Sequence, residues 1–303
     1  MSKYIPLKFD SFRAATRTTF KGALLALGVA VVNTGPTLAG ERVTFETPPV
    51  QPSAFKVKRA KAQGKTLEPT PGITLEGVLS VPDGKGPHPA IILLPERVEA
   101  YPSYQVWANH LTDEGFVTLL IQSLASRDVE TLRLDRPMNL LEDVQGGHSF
   151  LSTLGFVDVQ RIGLVGFGLS GEFVHRSLDA SFTRRAENVS FYAGAALYPH
   201  CDPGMRLEAP ILVLMGGSDS RASVSAYRSM IDLNRKTFQQ SRIQVYPEAT
   251  HFFDNIAYAK DPDLRGSDWV EPALFEGNDY SPEFRAEAEQ AMVDFFNSSG
   301  APD

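Results

Sequence analysis

The 303 residues include 43% hydrophobic side chains and carry a formal charge of −7, which is ample apolar material for a packed core. Residues 1–39 hold Lys3, Lys8, Arg13, Arg17 and Lys21 against Asp10 alone, a net +4, so the body from Gly40 onward carries −11. No Lys/Arg cluster offsets that charge, and a nucleic-acid partner is set aside.

The chain opens with a basic region up to Lys21, an apolar run from Gly22 to Val32, and Thr37-Leu38-Ala39 ahead of Gly40. A basic stretch, a short apolar stretch and a small-residue cleavage pattern make a secretory signal peptide over residues 1–39. The apolar run is about half of what a membrane-spanning helix needs, so no stable membrane span is expected after cleavage. The expected mature protein is secreted or periplasmic. Cys201 is the sole cysteine, so no internal disulfide can form. An exported chain of this size can rely on its core instead.

From residue 40 to 303 a single domain is expected. Strand-like pieces stand at Arg42–Thr47 and Phe55–Arg59. Gly72–Val81 alternates apolar and polar residues before Pro82-Asp83-Gly84, the pattern of a half-buried strand ending in a turn and pairing antiparallel at the sheet margin. Ala90–Leu94, AIILL between Pro89 and Pro95, reads as a central parallel strand buried on both faces. Helical and strand patterns then alternate: a helix at Tyr104–Asp113, a strand at Phe116–Gln122, a helix at Leu140–Leu154, then strands at Ala193–Tyr198, Ile211–Met215 and Ile243–Tyr246, with helices at Ala222–Lys236 and Pro282–Asn297. That alternation implies an α/β fold, a mostly parallel central sheet with helices on both faces. Two long loops, Ser126–Asn139 and Phe253–Ser281, are expected above the strand ends, where ligands bind in such sheets.

The stretch Arg161–Glu172, RIGLVGFGLSGE, passes from an apolar run through a glycine-dense turn into an amphipathic pattern: strand, sharp turn, helix. Its Gly166-x-Gly168-x-x-Gly171 could suggest a dinucleotide turn. An acidic residue at a strand end about 20 positions later is missing, so no nucleotide cofactor is expected. The six histidines show neither H-x-x-x-H nor H-E-x-x-H spacing, and no metal site is expected.

The turn Gly166-Phe167-Gly168-Leu169-Ser170-Gly171 resembles the G-F-C-L-G-G or G-F-S-x-G-G nucleophile elbow of dienelactone hydrolase-like proteins, a family of the α/β-hydrolase superfamily. Val157–Gly163 resembles the lead into that elbow, Ala196–Cys201 resembles the A-F-Y-P-x-C that follows it, and Val245–Asp254, VYPEATHFFD, resembles V-Y-P-x-A-x-H-x-F-D. The similarity spans roughly residues 70–297. It implies an α/β-hydrolase fold, hydrolysis of carboxylic esters or lactones, and a triad in the chain order nucleophile, acid, His.

Carried over position by position, the resemblance places the acid on Asp219 and the base on His251. It places the nucleophile on Gly168, which has no side chain. Asp219 also suits an Asx turn or cap for a helix starting near Arg221. Glu96, after AIILLP, matches the Glu that contacts the nucleophile in dienelactone hydrolases, while the H-G oxyanion motif of Ser-type relatives is absent. Ser170, two residues past the elbow, is an alternative nucleophile or a small helix-start residue.

Two functions remain open from the sequence. One is a degenerate hydrolase that binds a ester- or lactone-like ligand or a protein partner. The other is an active hydrolase in which His251 and Asp219 activate water or Ser170.

Overall fold

A computed structural model describes residues 40–98, 100–135, 138–183, 186, 189–200, 206–259 and 280–300. The expected signal peptide, the Cys201 segment and most of the second long loop lie outside them.

The run AIILL lies at the middle of the sheet, in β3 (His88–Leu94). Successive strand residues point to opposite faces, so Ala90, Ile92 and Leu94 enter one apolar cluster and Ile91 and Leu93 the other. All five are fully buried, which is why these positions of the strand carry no polar residue.

Around it stand β1 (Glu41–Glu46), β2 (Thr74–Ser80), β4 (Val117–Ile121), β5 (Val157–Phe167), β6 (Gly194–Leu197), β7 (Ile211–Gly216) and β8 (Arg242–Tyr246). The order is β1-β2-β4-β3-β5-β6-β7-β8. β1 and β2 pair antiparallel at one margin, β2 pairs antiparallel with β4, and every pairing from β4 to β8 is parallel. The α/β class and the antiparallel margin are as the periodicities imply.

The helices are α1 (Ala54–Ala62), α2 (Tyr101–Asp113), α3 (Leu141–Ser152), α4 (Gly171–Leu178), the short α5 (Ala180–Thr183), α6 (Val224–Asn234) and α7 (Pro282–Ser299). α3, α4 and α6 supply Val144, Leu151, Val174, Leu178, Met230 and Ile231 to the first cluster. α2 and α7 supply Trp107, Leu111, Met292, Phe295 and Phe296 to the second. Helices therefore cover both faces, the arrangement a largely parallel sheet requires.

One expected strand, Phe55–Arg59, is instead part of α1. Ser53 caps that helix by accepting from the Lys56 N–H at 3.4 Å, and Ala, Lys and Arg are strong helix formers. The alternating Phe55 and Val57 are exposed, so the pattern that suggested a strand has no sheet face to bury.

Candidate active site

β5 ends at Phe167, and the chain turns through a 3₁₀ segment, Gly168–Ser170, into α4. Gly168 sits at φ +52°, the left-handed region that costs a side-chain-bearing residue about 1 kcal/mol or more. Gly171 admits Pro199 against its Cα, where any Cβ would collide. The glycines thus serve a tight strand-to-helix elbow, as expected from the sequence.

The sheet brings the other candidates to the same end. Glu96 follows β3, Tyr198 follows β6, Asp219 follows β7 and His251 follows β8. The elbow and all four therefore stand at the C-terminal edge of the parallel strands, where α/β sheets bind ligands.

His251 and Asp219 meet there. His251 Nδ1 and Asp219 Oδ2 are 2.7 Å apart, and the Asp219 side chain is fully shielded from solvent. With Nδ1 engaged, Nε2 is the imidazole nitrogen left for chemistry. Asp219 also serves the structural role considered above: its Oδ1 accepts from the Arg221 N–H at 2.7 Å and the Ala222 N–H at 3.3 Å. One carboxylate oxygen closes an Asx turn and the other faces the histidine. Burial pushes the Asp219 carboxyl up, but the His251 bond, the attraction to His251 and the two backbone N–H groups outweigh it, leaving the pKa below the ordinary carboxylate value.

Glu96 stands against Gly168. β3 and β5 pair with Leu94 opposite Gly166, so two residues further on Glu96 lies beside Gly168. A Cβ built on Gly168 would overlap the Glu96 carboxyl group. Glu96 Oε2 accepts from the Leu169 N–H at 2.8 Å, and that N–H belongs to the residue after the elbow position, the usual oxyanion donor of this architecture. Glu96 is 6% exposed. Desolvation raises its pKa, offset in part by His251, the Leu169 N–H, Arg97 and Arg221. The first long loop holds its backbone, since the Leu132 N–H donates to the Glu96 carbonyl at 2.9 Å.

Ser170 is fully buried, and its hydroxyl donates to the Pro95 carbonyl at 2.7 Å. That bond ties the elbow to the loop carrying Glu96.

A cavity of about 260 Å³ opens over these groups, lined by Glu96, Gly168, Leu169, His251, Arg97 and Arg221 among others. This is slightly below the usual range for small-molecule sites. Its charge is mixed, two guanidiniums against one carboxylate. A wider cleft of about 660 Å³ lies at the segments leading into β7 and β8, lined by Asp179, Arg206 and Glu208. It holds none of the groups gathered at the strand ends. Among the described residues no cluster of three or more His, Cys, Asp or Glu could hold a metal ion.

The model of the dienelactone hydrolase family matches residues 75–300. The chain belongs to the dienelactone hydrolase family. A Methylorubrum extorquens protein provisionally named carboxymethylenebutenolidase is 25% identical over 219 residues, covering 64% of this chain and 70% of the relative. A Klebsiella pneumoniae crystal structure provisionally described as a dienelactone hydrolase superposes with a TM-score of 0.57 at 17% identity, over 85% of this chain and 99% of that one. A dienelactone hydrolase-like promiscuous phosphotriesterase from metagenomic libraries gives 0.57 at 16%, over 86% and 99%. A thermophilic esterase of Thermogutta terrifontis gives 0.53 at 12%, over 76% and 92%. The family and these neighbours are hydrolases, and at such identities the structural likeness establishes the shared α/β-hydrolase fold.

In this dienelactone hydrolase family chain two further residues shape the site. Tyr198 and Phe252 sit at φ +38° and +62°, backbone conformations that are uncommon for bulky side chains. Their rings pack on the His251 imidazole at centroid distances of 4.6 and 4.3 Å and on each other at 5.2 Å. Arg97 and Arg221 each lie 5.7 Å from the Phe252 ring centre. Both aromatics fall inside the quoted motifs, yet only the register of β6 against β5 brings Tyr198 beside the elbow.

Proposed function

We propose that this family member is degenerate toward esters and lactones: it takes a small ester- or lactone-like molecule into the cavity over Gly168 and forms no Ser or Cys acyl-enzyme. The observation that carries this reading is the Glu96 carboxyl group, which fills the space a side chain on residue 168 would need. It also occupies the Leu169 N–H that an ester oxyanion would use. A carbonyl substrate entering here meets an acceptor where acyl transfer needs a donor. Ser170 supplies no substitute, since its hydroxyl is buried and spent on Pro95.

A second reading, an active hydrolase in which His251 activates water directly, is favoured by the 2.7 Å approach of Asp219 to His251. Loss of a covalent nucleophile ordinarily leaves only about 10³–10⁴-fold catalysis over water. Fluorophosphonate labelling with a panel of simple esters separates the two. Labelling overturns the first reading, and unlabelled protein that still hydrolyses esters supports the second.

We place the mature protein outside the cytoplasm, on the basic, apolar and small-residue order of residues 1–39. Among the described residues no helix is long and apolar enough to cross a membrane. N-terminal sequencing from the native host should find a start near Gly40, and protein still beginning at Met1 would refute export by cleavage.

A further inference from the structure

The seat beside Gly168 is occupied by a carboxylate with three kinds of support around it. The Leu169 N–H is bonded to Oε2 at 2.8 Å. The His251 imidazole, oriented by Asp219 at 2.7 Å, lies on the same cavity. Two guanidinium groups, Arg97 and Arg221, line that cavity as well. A bystander loop glutamate would be solvated, whereas this one is buried at the strand ends and faces the cavity.

We propose that Glu96 is a carboxylate nucleophile acting on saturated carbon, with small alkyl halides as the substrate class. The inference rests on the reading that no Ser or Cys acyl-enzyme forms here. The argument turns on the Leu169 N–H. For attack on an external ester that donor is on the wrong partner, because it is already bonded to Glu96. Displacement at saturated carbon develops no oxyanion and needs no such donor.

In the first step Glu96 Oε1 attacks carbon. A C–O bond forms, the carbon–halogen bond breaks, and the halide leaves with the bonding pair into a cavity lined by Arg97 and Arg221. In the second step water attacks Cδ of the resulting glutamyl ester while His251 Nε2 takes its proton and Asp219 steadies the imidazolium. The charge then develops on Oε2, the oxygen that already holds the Leu169 N–H, so the elbow supplies oxyanion stabilisation to the enzyme's own ester. Collapse expels the alkoxide, His251 returns the proton to it, and the carboxyl ionises. The sum is alkyl halide plus water giving alcohol, halide and a proton. Burial of Glu96 supports the first step, since a more basic carboxylate is the better nucleophile.

The probe is 1-bromobutane. In folded His251→Gln the second step loses its base, so a butyl adduct should accumulate and map to the Glu96 peptide. Asp219→Asn, which keeps the side-chain shape, should trap the same adduct more weakly. Wild type in ¹⁸O-water should release bromide and incorporate ¹⁸O into the Glu96 carboxyl, and Glu96→Gln should lose at least a hundredfold of that bromide release. No adduct in either folded variant, an adduct on another residue, or undiminished bromide release in Glu96→Gln overturns the proposal. Fluorophosphonate labelling of wild type reports separately. If it labels, the absence of Ser/Cys acylation is refuted, and if both tests are silent only the carboxylate nucleophile falls.

Discussion

The Glu96 carboxyl group lies in the space that a side chain on residue 168 would occupy, with Oε2 bonded to the Leu169 N–H at 2.8 Å. Restoring a nucleophile is therefore not a single-residue change. Gly168→Ser must displace the Glu96 carboxyl, lose that hydrogen bond and place a Cβ at φ +52°. The expected cost is about 2–4 kcal/mol, from about 1 kcal/mol or more of backbone strain and about 1–3 kcal/mol for the lost bond. Gly168→Ser with Glu96→Ala clears the seat and frees the Leu169 N–H. The double variant should melt above the single one and alone take up fluorophosphonate, read by thermal melts and intact mass. Equal labelling of the two would show that Glu96 is no obstacle.

Glu96→Gln should stabilise the fold near neutral pH. The folded pKa of Glu96 is raised, chiefly by desolvation, so the ionised form is the costly one in the native state. For a carboxyl raised on folding, the penalty is absent below the unfolded value of about 4.3 and complete above the folded value. The variant keeps an acceptor for the Leu169 N–H, and its melting temperature should exceed wild type by a few degrees at pH 7–8. Scans from pH 8 to pH 4 should show the difference shrinking toward zero as pH falls. A difference that grows on acidification would contradict the desolvation account.

Asp219 has the opposite sign. Its folded pKa is lowered, because its bonds to His251 and to two backbone N–H groups outweigh burial, so its stabilisation is present above the unfolded value of about 3.9 and lost as pH falls through the folded value. Asp219→Ala removes the acceptor of the Arg221 and Ala222 N–H groups together with the His251 partner and should cost about 2–4 kcal/mol at pH 7. Asp219→Asn retains the turn acceptor and should cost less. Urea titrations at pH 7 and pH 3 check both magnitude and sign, and a cost that is the same at both pH values would remove the carboxylate from the account.

Phe252 holds the imidazole from one side and stacks on Tyr258 at 5.4 Å from the other. Phe252→Ala should lose about 3–5 kcal/mol as a buried aromatic truncation, and the His251 ring should gain mobility. Histidine NMR of the folded variant should show a broadened or displaced His251 resonance. A sharp, unmoved signal would mean that Tyr198 and Asp219 orient the ring unaided.

The strand, turn and helix of the elbow were legible in the sequence because their signals are local, whereas the Asp219–His251 pairing was implied by the family resemblance. A turn at positive φ selects glycine, a doubly covered strand selects an unbroken apolar run, and strand-end residues announce themselves by the turns that follow. The strand misread at Phe55–Arg59 shows the limit of that locality: an alternating pattern makes a strand only if a sheet edge receives it, and Phe55 and Val57 face solvent on a helix. That Glu96 faces residue 168 was implied by the family resemblance and by no local signal, and that its carboxyl fills the space beside Gly168 is a tertiary fact. The Glu96 carboxyl reaches it only because β3 and β5 pair with Leu94 opposite Gly166, and a slip of one residue would turn every side chain to the other face. Phe252 reaches the imidazole as its neighbour in the chain, but Tyr198 closes on it for the same reason as Glu96, since a ring contact between strand ends distant in the chain depends on sheet order and register, which the tertiary structure alone decides.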